Sequence, residues 1–137
     1  MTIRVYIDTN VYLNAIENRD DHLSRDVIRF LEARGIALYI NDLSIINIHY
    51  ITRKSTARTE IKAVLKKILS LHGLVSIDKT IIELALESTF GDFEDAVQYY
   101  CAKKIGADLI LTSNAKDFIH SDIKVLTPAA FFERYVH

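Results

Sequence analysis

The chain has 137 residues, of which 50% are hydrophobic and 26% charged, and its formal net charge at pH 7 is −1. This length and composition predict one globular domain over residues 1–137, and the near-zero net charge argues against a general DNA-coating protein. The single cysteine excludes an internal disulfide, no apolar run approaches the ~18 residues that span a bilayer, and the first residues lack a signal-peptide pattern, so we expect a cytoplasmic protein.

Short apolar strands alternate with amphipathic helices along the chain. The first half is predicted to contain, in order, a strand at Ile3–Ile7, a helix at Asp20–Arg34, a strand at Ile36–Ile40 and a helix from Asn41 to about Lys54. The second half is predicted to contain a helix from Thr56 or Ala57 to Leu71, a strand at Leu74–Ile77, a helix from Asp78 to about Ser88, a helix at Asp92–Lys104, strands at Leu109–Leu111 and Lys124–Leu126, and a last helix after Thr127. This alternation is typical of a parallel sheet that is covered on both faces by helices.

Several residue types mark the expected helix ends. Gly35, Gly73 and Gly106 are predicted to end three of the helices, because glycine readily adopts the left-handed conformation that follows a last helical turn. Thr127 followed by Pro128 is the expected start of the last helix, since proline is well tolerated at the first helical position.

Polar residues follow the first and fourth predicted strands. Asp8 and Asn10 come after the first strand, and Thr112 and Asn114 come after the fourth, with Asp117 three residues later. In parallel α/β sheets, ligands bind beyond the carboxyl ends of the strands, where the strand order reverses. If these two strands are neighbours, their polar residues meet at one edge of the sheet.

A third polar group, Asp92-Phe93-Glu94-Asp95, begins the helix that precedes the fourth strand. Carboxylates that lie close together repel each other unless they are protonated or bridged by a cation. Mg²⁺ or Mn²⁺, which prefer oxygen ligands, would relieve that repulsion. A structural explanation stays open for each acid, because Asp8 could cap a helix and the acidic group could favour a helix N-terminus through its dipole.

At these residues the chain resembles the PIN-domain nuclease family over nearly its whole length. The resemblance rests on three segments in this order: Ile7–Val11, Asp92–Ala96 and Ala107–Phe118. It implies a three-layer α/β/α sandwich with a central parallel β-sheet, and Mg²⁺- or Mn²⁺-dependent cleavage of RNA phosphodiester bonds. It also implies the toxin of a toxin–antitoxin pair, so the expected partners are an RNA substrate, an antitoxin protein and, in a homodimer, a second copy.

By position, the resemblance implies a catalytic group of four residues: Asp8, Asp95, Asn114 and Asp117. Asp8 and Asp95 would bind the metal directly or through water, Asp117 would be a further acid of the site, and Asn10 and Thr112 would orient the ligands. Hydrolysis by a metal-activated water is the expected chemistry.

One position departs from the family pattern. Many members carry a glutamate early in the helix after the second strand, where this chain has Asn47. Its neutral carbonyl oxygen would complete the metal shell with less negative charge, which implies weaker metal binding or a single ion, and Glu94 could partly compensate. A catalytically silent PIN-like module that binds RNA or a protein partner therefore remains an alternative.

Exposed cations line one predicted helix. Arg58, Lys62 and Lys66 share a face and could guide an RNA backbone, although a solvated helix face is the commoner meaning of such a pattern. A flavodoxin-like nucleotide-binding domain would show the same alternation of strands and helices. It is disfavoured because no glycine-rich loop follows the first strand.

Overall fold

Five parallel strands form the centre of the fold, and the computed structural model describes residues 2–136. The strands are β1 (Arg4–Ile7), β2 (Ala37–Asn41), β3 (Gly73–Val75), β4 (Leu109–Leu111) and β5 (Lys124–Leu126). Their order in the sheet is β3-β2-β1-β4-β5, and every neighbouring pair is parallel. The strand order therefore reverses between β1 and β4, which are neighbours, as the predicted site requires.

Seven α-helices surround this sheet within the described part of the chain. They are α1 (Thr9–Glu17), α2 (Leu23–Ala33), α3 (Asp42–Thr52), α4 (Arg58–Leu71), α5 (Lys79–Glu87), α6 (Phe93–Lys104) and α7 (Pro128–Tyr135). A short 3₁₀ helix at Ala115–Phe118 follows β4. None of the helices between residues 2 and 136 is both long enough and apolar enough to cross a bilayer.

Side chains of successive strand residues belong to opposite faces of the sheet, and each face has its own core. Val5 and Ile7 pack into one core with residues of α1–α4 and α7, whereas Tyr6 and Ile110 pack into the other with residues of α5 and α6. Burial on both faces explains why the strands are almost entirely apolar. The predicted three-layer α/β/α sandwich is confirmed.

The prediction that Gly73 ends a helix and precedes the third strand is wrong. Helix α4 ends at Leu71, and Gly73 is the first residue of β3, where it pairs with Tyr39 of β2. A Cβ atom on Gly73 would lie 2.5 Å from two carbons of the Tyr39 ring. Glycine is needed here because β2 and β3 approach each other closely. A contact between strands cannot be read from the residues that end a helix.

Among the other helix bounds, the start of α2 and the end of α3 differ most from prediction. Helix α2 begins at Leu23 rather than Asp20, because Asp21 and His22 have φ angles of 53° and 66°, which a right-handed helix does not accept. Helix α3 ends at Thr52, two residues before the predicted Lys54. Gly35 and Gly106 do have positive φ angles, of 68° and 64°, as expected of residues that follow a helix.

Candidate active site

The carboxyl ends of β1 and β4 bring Asp8 and Thr112 together. Ile7 and Leu111 are paired in the parallel register, so the next residue of each strand leaves the sheet at the same level. The backbone N–H of Asp8 donates to the Leu111 carbonyl oxygen at 2.9 Å, and the Thr112 hydroxyl donates to Asp8 Oδ2 at 2.8 Å. The predicted meeting of these two strand ends is confirmed.

Asp8 is a buried carboxylate, with 5% of its surface exposed. Burial raises the pKa of Asp8 to about 6, although the hydrogen bond from Thr112 lowers it. The backbone N–H groups of Thr9 and Asn10 also lower the pKa, but the Asp8 side chain completes no capping hydrogen bond to α1. Helix capping therefore does not account for this carboxylate.

Asp95 lies in the first turn of α6 and is partly buried. Burial, together with the negative charges of Asp92, Asp8, Asp117 and Glu94 in that order, raises the pKa of Asp95 to about 7. Charges interact in this way only over short distances. The charges of Asp8 and Asp117, which are far from Asp95 in the sequence, thus act on Asp95 in the folded chain.

Asp92 has a structural role that the sequence left open. It is exposed at the N-cap of α6, and its Oδ1 atom accepts a hydrogen bond from the Asp95 backbone N–H at 3.0 Å. Glu94 is also exposed, and its charge raises the pKa of both Asp8 and Asp95. Asp92 therefore caps the helix and also adds negative charge next to Asp95, while Glu94 contributes negative charge to both site carboxylates.

The remaining predicted ligands lie on α1, on α3 and after β4, and their side chains form no hydrogen bond within residues 2–136. Asn47 and Asn114 are partly buried, whereas Asn10 and Asp117 are exposed. The backbone N–H of Asn114 donates to the Thr112 hydroxyl oxygen at 3.2 Å, which connects the segment after β4 to the Asp8 contact.

The described residues form no cluster of three or more acidic metal ligands. Between residues 2 and 136, no three Asp, Glu, His or Cys side chains lie close enough together to coordinate one ion. The assignment of Asp8, Asp95 and Asp117 to one metal ion therefore stays a prediction. The donor chemistry fits a hard divalent cation, because these residues supply carboxylate oxygens and Mg²⁺ usually keeps several water ligands.

The predicted RNA-guiding residues lie on a different element. Arg58, Lys62 and Lys66 are exposed on α4, which packs against α3 and β3. None of the three forms an ion pair with a residue in the described range. These three side chains are therefore exposed to solvent, and none of them is paired with an acidic side chain of residues 2–136.

Sequence reasoning missed a set of buried polar side chains next to the site. Gln98 of α6 donates from Nε2 to the Thr9 hydroxyl oxygen at 2.7 Å, and its Oε1 atom accepts a hydrogen bond from the Tyr6 hydroxyl. All three residues are buried. A glutamine between Val97 and Tyr99, three positions after Asp95, was the available signal.

Comparison with known proteins gives related sequences and folds. A PIN domain family model matches residues 4–116. Ribonuclease VapC1 of Aquifex aeolicus (strain VF5) is 32% identical over 139 residues, which cover 96% of this chain and 95% of the relative.

Two solved structures illustrate the likeness of fold. A chain of the VapBC2 structure from Rickettsia felis, which is bound to a fragment of promoter DNA, matches with a TM-score of 0.69 and 16% identity. The match covers 91% of this chain and 98% of that chain. A toxin–antitoxin complex from Klebsiella pneumoniae matches with a TM-score of 0.69 and 20% identity over 90% of this chain and 97% of that chain.

Proposed function

Because the chain belongs to the PIN domain family, we propose that it is a metal-dependent endoribonuclease and the toxin of a toxin–antitoxin pair. The observation that carries this proposal is the buried Asp8 carboxylate, which the Thr112 hydroxyl holds at the carboxyl ends of β1 and β4. The negative charges of Asp92, Asp8, Asp117 and Glu94 also act on nearby Asp95. A bound cation relieves repulsion among these groups and can also activate a water for cleavage of a phosphodiester bond.

Mg²⁺ or Mn²⁺, when bound, lowers the pKa of a coordinated water and neutralises charge on the phosphoryl oxygens. In the proposed site, Asp8 and Asp95 hold the ion, with Asp117 as a further acid. Asn47 and Asn114 supply neutral oxygen atoms, and Asn10 helps to orient the ligands. Thr112 keeps the Asp8 carboxylate in place by donating to Oδ2.

An RNA chain would reach this site as a polyanion. The acidic residues around Asp95 repel phosphate until a cation is bound, so the metal also makes substrate binding favourable. Arg58, Lys62 and Lys66 are exposed and unpaired with acids of the described residues, and we expect them to guide the RNA backbone.

Protein partners are part of the same proposal. The similar chain from Klebsiella pneumoniae belongs to a toxin–antitoxin complex, and we expect an antitoxin protein to cover the acidic site of this chain. Exposed apolar residues such as Phe132 and Tyr135 on α7 are candidates for a contact between two copies.

The test is cleavage of a labelled single-stranded RNA by the purified chain with Mn²⁺, with Mg²⁺ and with a chelator. We expect cleavage only with a divalent ion. Asp8→Asn should lose at least the ~10–100-fold in activity that is typical when a metal site is perturbed.

A matched control for this experiment is Asp26→Asn, which removes an exposed carboxylate on α2 that pairs with Arg25. This variant should cleave RNA like the unaltered chain. Equal activity in the unaltered chain and in Asp8→Asn would end the nuclease assignment.

Asn47 favours a second candidate function. A neutral amide at the position where many family members carry glutamate gives the site less charge to hold an ion. A module that binds RNA without cleaving it is the alternative. It would bind labelled RNA equally well with Mn²⁺ and with a chelator, and the RNA would remain intact.

A further inference from the structure

Five polar side chains are buried together beneath the acidic site, between 0 and 4% exposed. They are Tyr6 of β1, Thr9 of α1, Asn41 of β2, Ser44 of α3 and Gln98 of α6. We call this set the buried polar cluster. Each member is hydrogen-bonded to another, and no buried side-chain N or O atom in the described residues lacks a partner.

Gln98 is the centre of the buried polar cluster because it uses both ends of its amide. Oε1 accepts from the Tyr6 hydroxyl, and Nε2 donates to Thr9 Oγ1 at 2.7 Å, with Ser44 Oγ at 3.5 Å. The hydroxyls of Thr9 and Ser44 are themselves 2.5 Å apart. An apolar side chain of the same size could fill this space but could make none of these bonds.

The partners of Gln98 lie on the elements that carry the proposed metal ligands. Gln98 follows Asp95 by three residues, so both stand within about one turn of α6. Thr9 directly follows Asp8, and Ser44 precedes Asn47 by three residues on α3. Hydrogen bonds from Gln98 therefore connect α6 to α1 and to α3 immediately below the site.

We propose that Gln98 is a positioning residue that sets the separation of the Asp8 and Asp95 carboxylates and thereby the affinity of the site for a divalent cation. This inference rests on the proposed function. Repulsion between the two carboxylates favours movement of α6 away from α1. The buried hydrogen bonds oppose that movement, because breaking them leaves polar groups without partners away from water.

The neighbours of Gln98 argue against a role in packing alone. Ala96, Val97, Cys101 and Ala102 of the same helix are buried hydrophobic residues, so the surrounding core accepts apolar side chains. A buried amide at this position is more costly than a hydrocarbon unless its hydrogen bonds are made. The geometry that Gln98 imposes gives a reason for an amide at this position.

The test is the Mn²⁺ dissociation constant of Gln98→Met, measured by calorimetry, together with its kcat and its metal-free Tm. Methionine keeps the length and volume of the side chain but forms no hydrogen bond to Thr9. We expect Mn²⁺ binding to weaken about 10- to 100-fold, as when partners that orient metal ligands are lost. Thr9→Val removes the acceptor of Gln98 Nε2 and the bond between the Thr9 and Ser44 hydroxyls but keeps the bond from Tyr6 to Gln98, so it should weaken Mn²⁺ binding by less.

A matched control is His72→Leu, which breaks another buried hydrogen-bonded group. His72 bonds the Tyr12 hydroxyl through Nδ1 at 2.8 Å and Glu32 through Nε2 at 2.7 Å, and it shares no member with the buried polar cluster. This variant should lose thermal stability as Gln98→Met does, while Mn²⁺ binding stays within about twofold of the unaltered chain.

Unchanged Mn²⁺ affinity in Gln98→Met and Thr9→Val, in a chain that binds Mn²⁺ and cleaves RNA, would overturn the positioning role and leave the proposed function intact. An equal loss of Mn²⁺ affinity in His72→Leu would also overturn it, because the effect would then follow stability. An unaltered chain that neither binds Mn²⁺ nor cleaves RNA would overturn both the proposed function and this inference.

Discussion

At Asp8, burial and hydrogen bonding act on the same carboxylate in opposite directions. Burial raises its pKa to about 6, and the Thr112 hydroxyl lowers it without restoring the ordinary value of 3.8. The folded state therefore favours protonated Asp8. The resulting stabilisation is fully present below the ordinary pKa and is lost as the pH rises through about 6.

This imbalance predicts that Asp8→Asn stabilises the metal-free chain at pH 8. The amide keeps an acceptor for Thr112 and removes the buried charge, so the free energy of unfolding should rise by on the order of 1–3 kcal/mol. Urea denaturation in the presence of a chelator measures the difference. At pH 4 the difference should shrink, and a variant less stable than the parent at pH 8 would contradict the prediction.

In the proposed site, Asn47 supplies a neutral oxygen where a glutamate would add a negative charge. We predict that Asn47→Glu tightens Mn²⁺ binding roughly tenfold, which corresponds to about 1.4 kcal/mol of added attraction. Asn47→Gln is the control, because it has the length of glutamate without the charge. Calorimetric titration of both variants decides the question, and equal affinities would place residue 47 outside the metal site.

At the scale of elements, the contact between β2 and β3 depends on a missing side chain. Gly73 pairs with Tyr39 so closely that a Cβ atom would lie 2.5 Å from the tyrosine ring. We predict that Gly73→Ala destabilises the fold by about 1–3 kcal/mol, because the ring or the edge strand must shift.

Gly91→Ala is the control for that prediction, since a Cβ atom there would have no neighbour within 4 Å. Urea denaturation of the two variants gives the comparison. If Gly73→Ala were as stable as Gly91→Ala, the close approach of β3 to Tyr39 would not limit stability.

At the scale of the whole molecule, the two cores share the same strands. In β1, Val5 and Ile7 belong to one core and Tyr6 to the other, so neither helical layer can lose its packing without exposing the sheet. We predict that residues 1–137 unfold as one cooperative unit.

Far-UV circular dichroism and tyrosine fluorescence test this cooperativity, because the chain has seven tyrosines and no tryptophan. The two signals should follow one transition with the same midpoint in urea. Separate midpoints would indicate that residues 1–137 contain more than one unfolding unit.

Much of the fold could be predicted because its signals are local. The side chains of Asp78 and Thr127 cap α5 and α7 as expected, since a cap depends on backbone groups within three residues. The strand at Leu109–Leu111 was predicted with its exact bounds from its run of apolar residues. The order of acidic residues along the chain likewise indicated the family and the residues of the proposed site.

The sequence alone determined the elements, their alternation and the residue types available for a metal site, because these depend on neighbours along the chain. The tertiary structure decided which groups meet: Thr112 bonds Asp8 across 104 positions, and Gln98 bonds Thr9 across 89. It also decided that Asp8 is buried and that Gly73 faces a tyrosine ring. Burial and contact are set by the packing of distant segments, and local patterns carry little information about either.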